Sequence, residues 1–316
     1  MVAVEIPEQI VPDTREEPSW PLKLFAASPL KQEKWGALED VLESIAGSTE
    51  KAVEGRECLD IGADNGVLSI LLRQLGGRWS SCDLSSVTVE SIRTLVHDRV
   101  FQIDGKSTPF SAGQFDLVVI IDLLEHIETD REFVNELYRI TKPGADIIVN
   151  VPNPKEGMLR KIRFLLGQTD EKHGHVRPGY TPEELTELFG DNFTLLTHRS
   201  YSRFFSVVAD TAITAAIEFL QALGGGKIRS SSKRSTGMPK SEVSKGTLIT
   251  ASEIRKYEKL FRVYRFVAPF LRALVKLDHF FPWLHGNVYV AAFRRTEKAC
   301  TPTLESEQYD GLDPLE

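Results

Sequence analysis

The stretch Leu59-Asp60-Ile61-Gly62-Ala63-Asp64-Asn65-Gly66 joins a carboxylate to a glycine-bearing turn. An apolar run ends in an acid, and the glycines let a ligand approach the backbone while N–H groups at a helix start point toward it. Three more acids stand at comparable places. Asp83 falls near the end of RWSSCDL (78–84), Asp104-Gly105 closes RVFQID, and Asp122 closes FDLVVIID (115–122). A carboxylate at such a position can accept from both hydroxyls of a ribose. The G-x-G-x-x-G spacing of dinucleotide enzymes is absent, and so is G-x-x-x-x-G-K-[ST]. Both absences argue against a dehydrogenase and a P-loop NTPase.

These acids need strands to present them. RECLDI (56–61), RWSSCDL, FDLVVIID and ADIIVNVP (145–152) read as buried parallel strands. VLSILLRQL (67–75), SVTVESIRTLV (86–96) and REFVNELYRI (131–140) read as the helices between them. Alternation at this spacing predicts a doubly wound α/β sheet with right-handed crossovers. Gly76-Gly77 is expected to end the first of these helices, and Pro143-Gly144 to turn into the fourth strand. FTLLTHRSYS (193–202) and NVYVAAFRR (287–295) are expected to complete the sheet across a large insertion.

Over roughly residues 50–200 the pattern resembles the class I S-adenosylmethionine (SAM)-dependent methyltransferases. The likeness is to the small-molecule, type 11-like branch that includes ubiquinone-biosynthesis O-methyltransferases. It implies a Rossmann-like, seven-stranded, mostly parallel sheet with helices on both faces and a helical insertion before the last strand. It also implies SAM as cofactor. Asp60, Gly62, Ala63, Asp64 and Gly66 would then shape the methionine pocket, Asp83 and Leu84 would hold the ribose, and Asp104 and Gly105 would meet the adenine. Asp122 would complete the cofactor set. One departure is Asp64, which stands where the family usually has its middle glycine. Aspartate tolerates left-handed backbone better than most residues. Its carboxylate would either repel the methionine carboxylate or hold the ammonium.

Methyl transfer to a hydroxyl benefits from a base at the carboxyl edge of the sheet. Asp122-Leu123-Leu124-Glu125-His126 resembles the E-x-x-E-H element associated with a divalent ion in the ubiquinone O-methyltransferases, with Asp122 replacing the first Glu. The alternative is that Glu125 and His126 cap the next helix and line the pocket; on that reading no metal is held. In His173-Gly174-His175-Val176-Arg177-Pro178-Gly179-Tyr180-Thr181-Pro182-Glu183-Glu184-Leu185, Thr181 and Glu184 make a capping box with Pro182 at the first helical position. The preceding run resembles the acceptor-side loop of the small-molecule enzymes. By that likeness His173, His175 or His126 is the base, and Arg177 and Tyr180 face the acceptor. The alternative for the loop is that its polar groups only satisfy backbone atoms.

Composition sets the outer bounds. The 316 residues carry a net charge of −7, which argues against a protein that coats nucleic acid. Cys58, Cys82 and Cys300 form no C-x-x-C pair, so a disulfide framework is not expected. The first twenty residues lack the basic start and apolar run of a secretory leader. No charge-free apolar run of about 18 residues occurs, so a cytoplasmic chain is expected, one that can lie on the inner face of the membrane. Residues 1–27 read as a loose tail, and 28–202 as the core, with an acceptor-side insertion at 153–180. Residues 203–286 read as a helical insertion holding a basic, Gly- and Ser-rich linker at 224–250. The last strand (287–296) and an acidic tail (297–316) follow.

Two basic segments, 156–166 and 253–283, suggest membrane contact. In the second, Arg255, Lys259, Arg262, Arg265, Arg272 and Lys276 share one arc at about 100° per residue. Leu260, Val263, Tyr264, Val267, Phe270, Leu271, Leu274 and Val275 face away from it. The predicted function is methylation of a small-molecule or lipid-linked acceptor, at oxygen. An RNA methyltransferase and a non-catalytic SAM-binding scaffold are the rival readings.

Overall fold

The computed structural model of the protein describes residues 20–62, 66–154, 176–223, 251–281, 283 and 286–297. Ala63, Asp64, residues 156–166, His173, His175, the linker 224–250 and the tail beyond 297 lie outside the described residues.

Seven strands form one sheet, β1 Glu57–Ile61, β2 Arg78–Asp83, β3 Val100–Gln102, β4 Phe115–Ile121, β5 Thr141–Pro152, β6 Phe193–Tyr201 and β7 Val288–Arg295. Their order is β3-β2-β1-β4-β5-β7-β6. The first five run parallel, and β7 lies antiparallel between β5 and β6. The strand order reverses between β1 and β4, so their carboxyl ends open a crevice of the kind that binds ligands.

Period-two alternation explains the two cores. Val118 and Ile120 of β4 enter one cluster, together with Phe133 and Leu137 of helix α6 (Asp130–Ile140). Leu117, Val119 and Ile121 enter the other, with Val41 and Leu42 of helix α2 (Pro29–Ala46). Burial on both faces is why these strands read as continuous apolar runs. The crossover helices α4 (Val67–Gln74) and α5 (Ser86–Val96) coincide with their sequence periodicity. The capping box of α7 (Pro182–Phe189) is present in full.

Three expectations change. Residues 20–27 are not part of a loose tail: they form helix α1 (Trp20–Ala27), which sends Phe25 into the core because its short sequence is largely apolar. Pro143-Gly144 is no turn before β5. The strand already starts at Thr141, paired with Phe115, and takes up the extra residues as a bulge with Gly144 at φ 76°. Lastly, the long insertion helix α9 (Ala251–Lys276) does not bury its expected apolar arc as one face. Ala268 and Val275 are buried, whereas Phe270 and Val267 are exposed.

The insertion is anchored by a buried acid. Asp278, just past α9, accepts from the backbone N–H groups of Phe205 and Ser206, both at 2.9 Å, and from the Ser206 hydroxyl at 2.7 Å. It thereby caps helix α8 (Phe204–Leu223), whose first N–H groups have no intrahelical acceptor. Replacing Asp278 by Ala should lower unfolding stability by about 2 kcal/mol, with Asn falling between. Thermal melts of the three proteins test this, and equal melting temperatures would deny the cap its role.

Candidate active site

The turn after β1 requires glycine for steric reasons. Gly62 has φ 80°, and a β-carbon there would lie 2.4 Å from the Ile121 carbonyl oxygen and 2.8 Å from Leu123 Cβ. Its N–H donates to Cys82 O at 2.9 Å, which ties the tip of β1 to β2. Gly66, at φ 88°, opens α4, and a β-carbon there would meet Ile92 Cα of α5 at 2.8 Å. At Gly62 and Gly66 the backbone therefore carries no side chain, at the head of the crevice.

Asp60 supports this turn from below. Its carboxylate is fully buried, accepts from Ser69 Oγ of α4 and lies 3.8 Å from the Arg73 guanidinium. Burial pushes the carboxyl above its ordinary range, while Arg73 and Ser69 oppose that shift. What Asp60 touches is helix α4, so it holds the turn in place rather than projecting into the crevice.

Asp83 ends β2 almost wholly buried, with Oδ1 accepting from Ser85 N at 2.9 Å. An ionised carboxylate offers about four acceptor positions, chemistry that suits a pair of hydroxyls. Leu84 packs beside it, and a β-carbon on Gly105 would stand 3.2 Å from Leu84 Cδ2. Asp104 is exposed on the rim. The backbone N–H groups of Ser107 and Lys106 donate to its carboxylate and hold its pKa below the usual range.

Asp122, at the tip of β4, adopts φ 47°. It pairs with Lys34 of α2, and Asn150 Nδ2 donates to its Oδ1 at 2.6 Å. Tyr201 completes the chain by donating to Asn150 Oδ1 at 2.7 Å. Sequence reasoning missed Lys34, Asn150 and Tyr201, because no local spacing connects positions so far apart. Glu125 sits one turn beyond with 1% exposure, its Oε2 buried without a hydrogen-bond partner. Desolvation and then the Asp122 charge push its pKa to about 8, so the carboxyl keeps its proton at neutral pH.

His126 follows on the same short 3₁₀ turn and is half-buried. Arg177 and Tyr180, expected at the acceptor, are both engaged with Asp130. Arg177 pairs with that carboxylate and donates to Ile127 O at 2.9 Å, and the Tyr180 hydroxyl donates to Asp130 Oδ2 at 2.9 Å. Their role is to fasten the segment after the histidines onto the loop between β4 and α6. Among the described residues no three His, Cys, Asp or Glu side chains gather into a metal-sized group. Asp122 is engaged by Lys34 and Asn150.

Comparison with known proteins agrees with this geometry. Residues 59–149 match a family described as a methyltransferase domain. A ubiquinone biosynthesis O-methyltransferase from Bordetella avium is 26% identical over 136 residues, covering 41% of this chain and 52% of the relative. The corresponding protein from Nitrosococcus oceani is 25% identical over 169 residues, covering 47% and 72%. The chain thus spans about half the length of the first of these relatives. Among solved structures, phosphoethanolamine N-methyltransferase 2 of Haemonchus contortus in complex with S-adenosyl-L-methionine aligns with a TM-score of 0.46 at 17% identity, covering 77% of this chain and 49% of that one.

The Glu125 proton carries a pH signature. Its folded pKa of about 8 exceeds the ordinary 4.5, so its stabilising share is complete below 4.5 and lost as the pH rises through about 8. Glu125→Gln keeps the shape without ionising. Its melting temperature should gain on the wild type by several °C between about pH 5 and about pH 9, the scale of 1–2 kcal/mol in a domain of this size. A difference that stays flat with pH would mean that Glu125 titrates normally.

Proposed function

We propose that this chain, which carries a class I SAM-dependent methyltransferase domain, transfers the sulfonium methyl to a hydroxyl of a small-molecule acceptor, one attached to a lipid and met at a membrane surface. The observation that carries this reading is the buried Asp83 carboxylate at the tip of β2, beside the bare backbone turn at Gly62. A ribose and the amino-acid end of one ligand fit that pair: two hydroxyls for the carboxylate, and close backbone approach for the tail.

The bound cofactor supplies an activated methyl and its own leaving group, so the protein aligns the partners, excludes water and takes up a proton. In this reading Asp83 and Leu84 hold the ribose, Gly105 and Asp104 border the adenine, and Gly62, Ala63, Asp64 and Gly66 surround the methionine end. Asp122, fixed by Lys34 and Asn150, forms the wall nearest the reacting sulfur. Its rigid pairing keeps a carboxylate from swinging toward the acceptor. His126, His173 or His175 receives the hydroxyl proton, and Arg177 and Tyr180 fasten residues 176–180 to Asp130. The relatives named as ubiquinone biosynthesis O-methyltransferases support an oxygen acceptor.

Asp83→Ala should weaken SAM binding by about 2 kcal/mol, because a doubly accepting charged group is lost. Calorimetry with an unchanged dissociation constant would remove Asp83 from the ribose site. For the reaction itself, purified protein with methyl-labelled SAM should label a component of a total lipid extract. Failure to bind SAM at all would overturn the reading. Replacing the acting histidine by Asn should cut turnover about 10²-fold while SAM affinity holds.

A further inference from the structure

Helix α9 turns an unusual surface outward. Phe266 is 75% exposed, Phe270 68%, Phe280 73% and Trp283 70%. Single exposed apolar residues are ordinary, but four exposed aromatic rings between Phe266 and Trp283, two on α9 and two just past it, are not. The Phe266 and Phe270 rings lie 6.3 Å apart, and Trp283 stacks edge-on to Phe281 at 5.5 Å. Phe266 and Phe270 therefore make one pair, and Phe281 and Trp283 another.

At about 100° per residue, Ala268 and Val275, the buried positions, define the inward direction. Phe266 and Phe270 then fall together on the far side, and Arg265 and Lys276 share one flank, about a quarter turn from Phe266. Both cations are exposed. The helix is held in this orientation from behind: Arg272 donates to Ala26 O of α1, and Asp278 caps α8. The outward face is thus set by packing on the core.

We propose that this face docks onto an anionic phospholipid bilayer, with the rings entering the headgroup region and the cations meeting lipid phosphates. The inference rests on the reading of the acceptor as lipid-attached. Charge complementarity selects the occupant. The chain is acidic overall, at −7, so a cationic strip beside exposed rings orients one face of it toward an anionic surface. Aromatic rings with basic neighbours are what an interfacial helix presents, the ring bodies buried and the cations at phosphate depth. A second copy of the chain is a poorer match. A two-fold contact through this face would bring the same cations toward one another in a drying seam. The arrangement also differs from a helix with one apolar and one basic side, because the apolar positions split between core and surface.

The test is flotation of the full chain with vesicles of phosphatidylglycerol or of phosphatidylcholine. Binding should occur to phosphatidylglycerol at low salt and be released at high salt. Arg265→Glu with Lys276→Glu should weaken it by roughly 20-fold or more, since each cation near an anionic surface contributes about 5-fold. Phe266→Ser with Phe270→Ser should weaken it as strongly while leaving the melting temperature in place, because both side chains already face solvent. Equal binding to both vesicle types, or none to either, overturns the docking surface. So does a dimer in sedimentation that the same aromatic variant dissociates. Labelling of a detergent-dispersed lipid extract is measured separately. Transfer without vesicle binding sinks only the docking proposal, and vesicle binding without transfer sinks only the proposed reaction.

Discussion

The close approach of β1 to the end of β4 at Gly62 sets the geometry of the whole carboxyl edge. With a β-carbon only 2.4 Å from the Ile121 carbonyl, the chain can pass there only if the side chain is a hydrogen atom and φ is positive. The passage lets β1 end where β4 ends and lets α4 start at once. It leaves Asp83 on one side of the turn and Asp122 on the other. Any drift of β1 relative to β4 would move those two acids apart. The fully paired parallel register of β1 with β2 and β4 holds that drift in check.

Four carboxylates close to one edge would repel one another in water-free surroundings, and the fold disposes of each differently. Asp60 accepts from Ser69 Oγ and has the Arg73 guanidinium 3.8 Å away. Asp122 is paired with Lys34. Asp104 stays at the solvent rim, held by backbone N–H groups. Glu125, with no such partner for its Oε2, keeps its proton instead.

How much of this was legible in the sequence depends on range. The strand tips, the crossover helices and the Thr181 capping box were readable because period and cap chemistry act within a few residues. Even the last two strands could be placed. Helices α1 and α2 were not: the segment before residue 50 reads as helical only once the sheet face it covers is known. Arg177 and Tyr180 were assigned to an acceptor because a loop arginine resembles an anion anchor, yet Asp130, distant in sequence, claims both. For α9, periodicity divided the helix into apolar and basic sides. The helix instead buries Ala268 and Val275, packs against α1, α2 and α8, and leaves large rings outside.

Helix α2 joins these parts. Two consecutive residues, Glu33 and Lys34, reach different regions. Lys34 pairs with Asp122 at the crevice, and Glu33 Oε1 accepts from Ser202 N at 3.1 Å, at the junction of β6 and α8. Glu33 also feels the charge of Asp278, the cap of that helix, which adds to the effect of burial in raising its pKa. The junction of β6 and α8 and the tip of β4 are thus linked through a single turn of α2, although they lie about eighty residues apart in the chain.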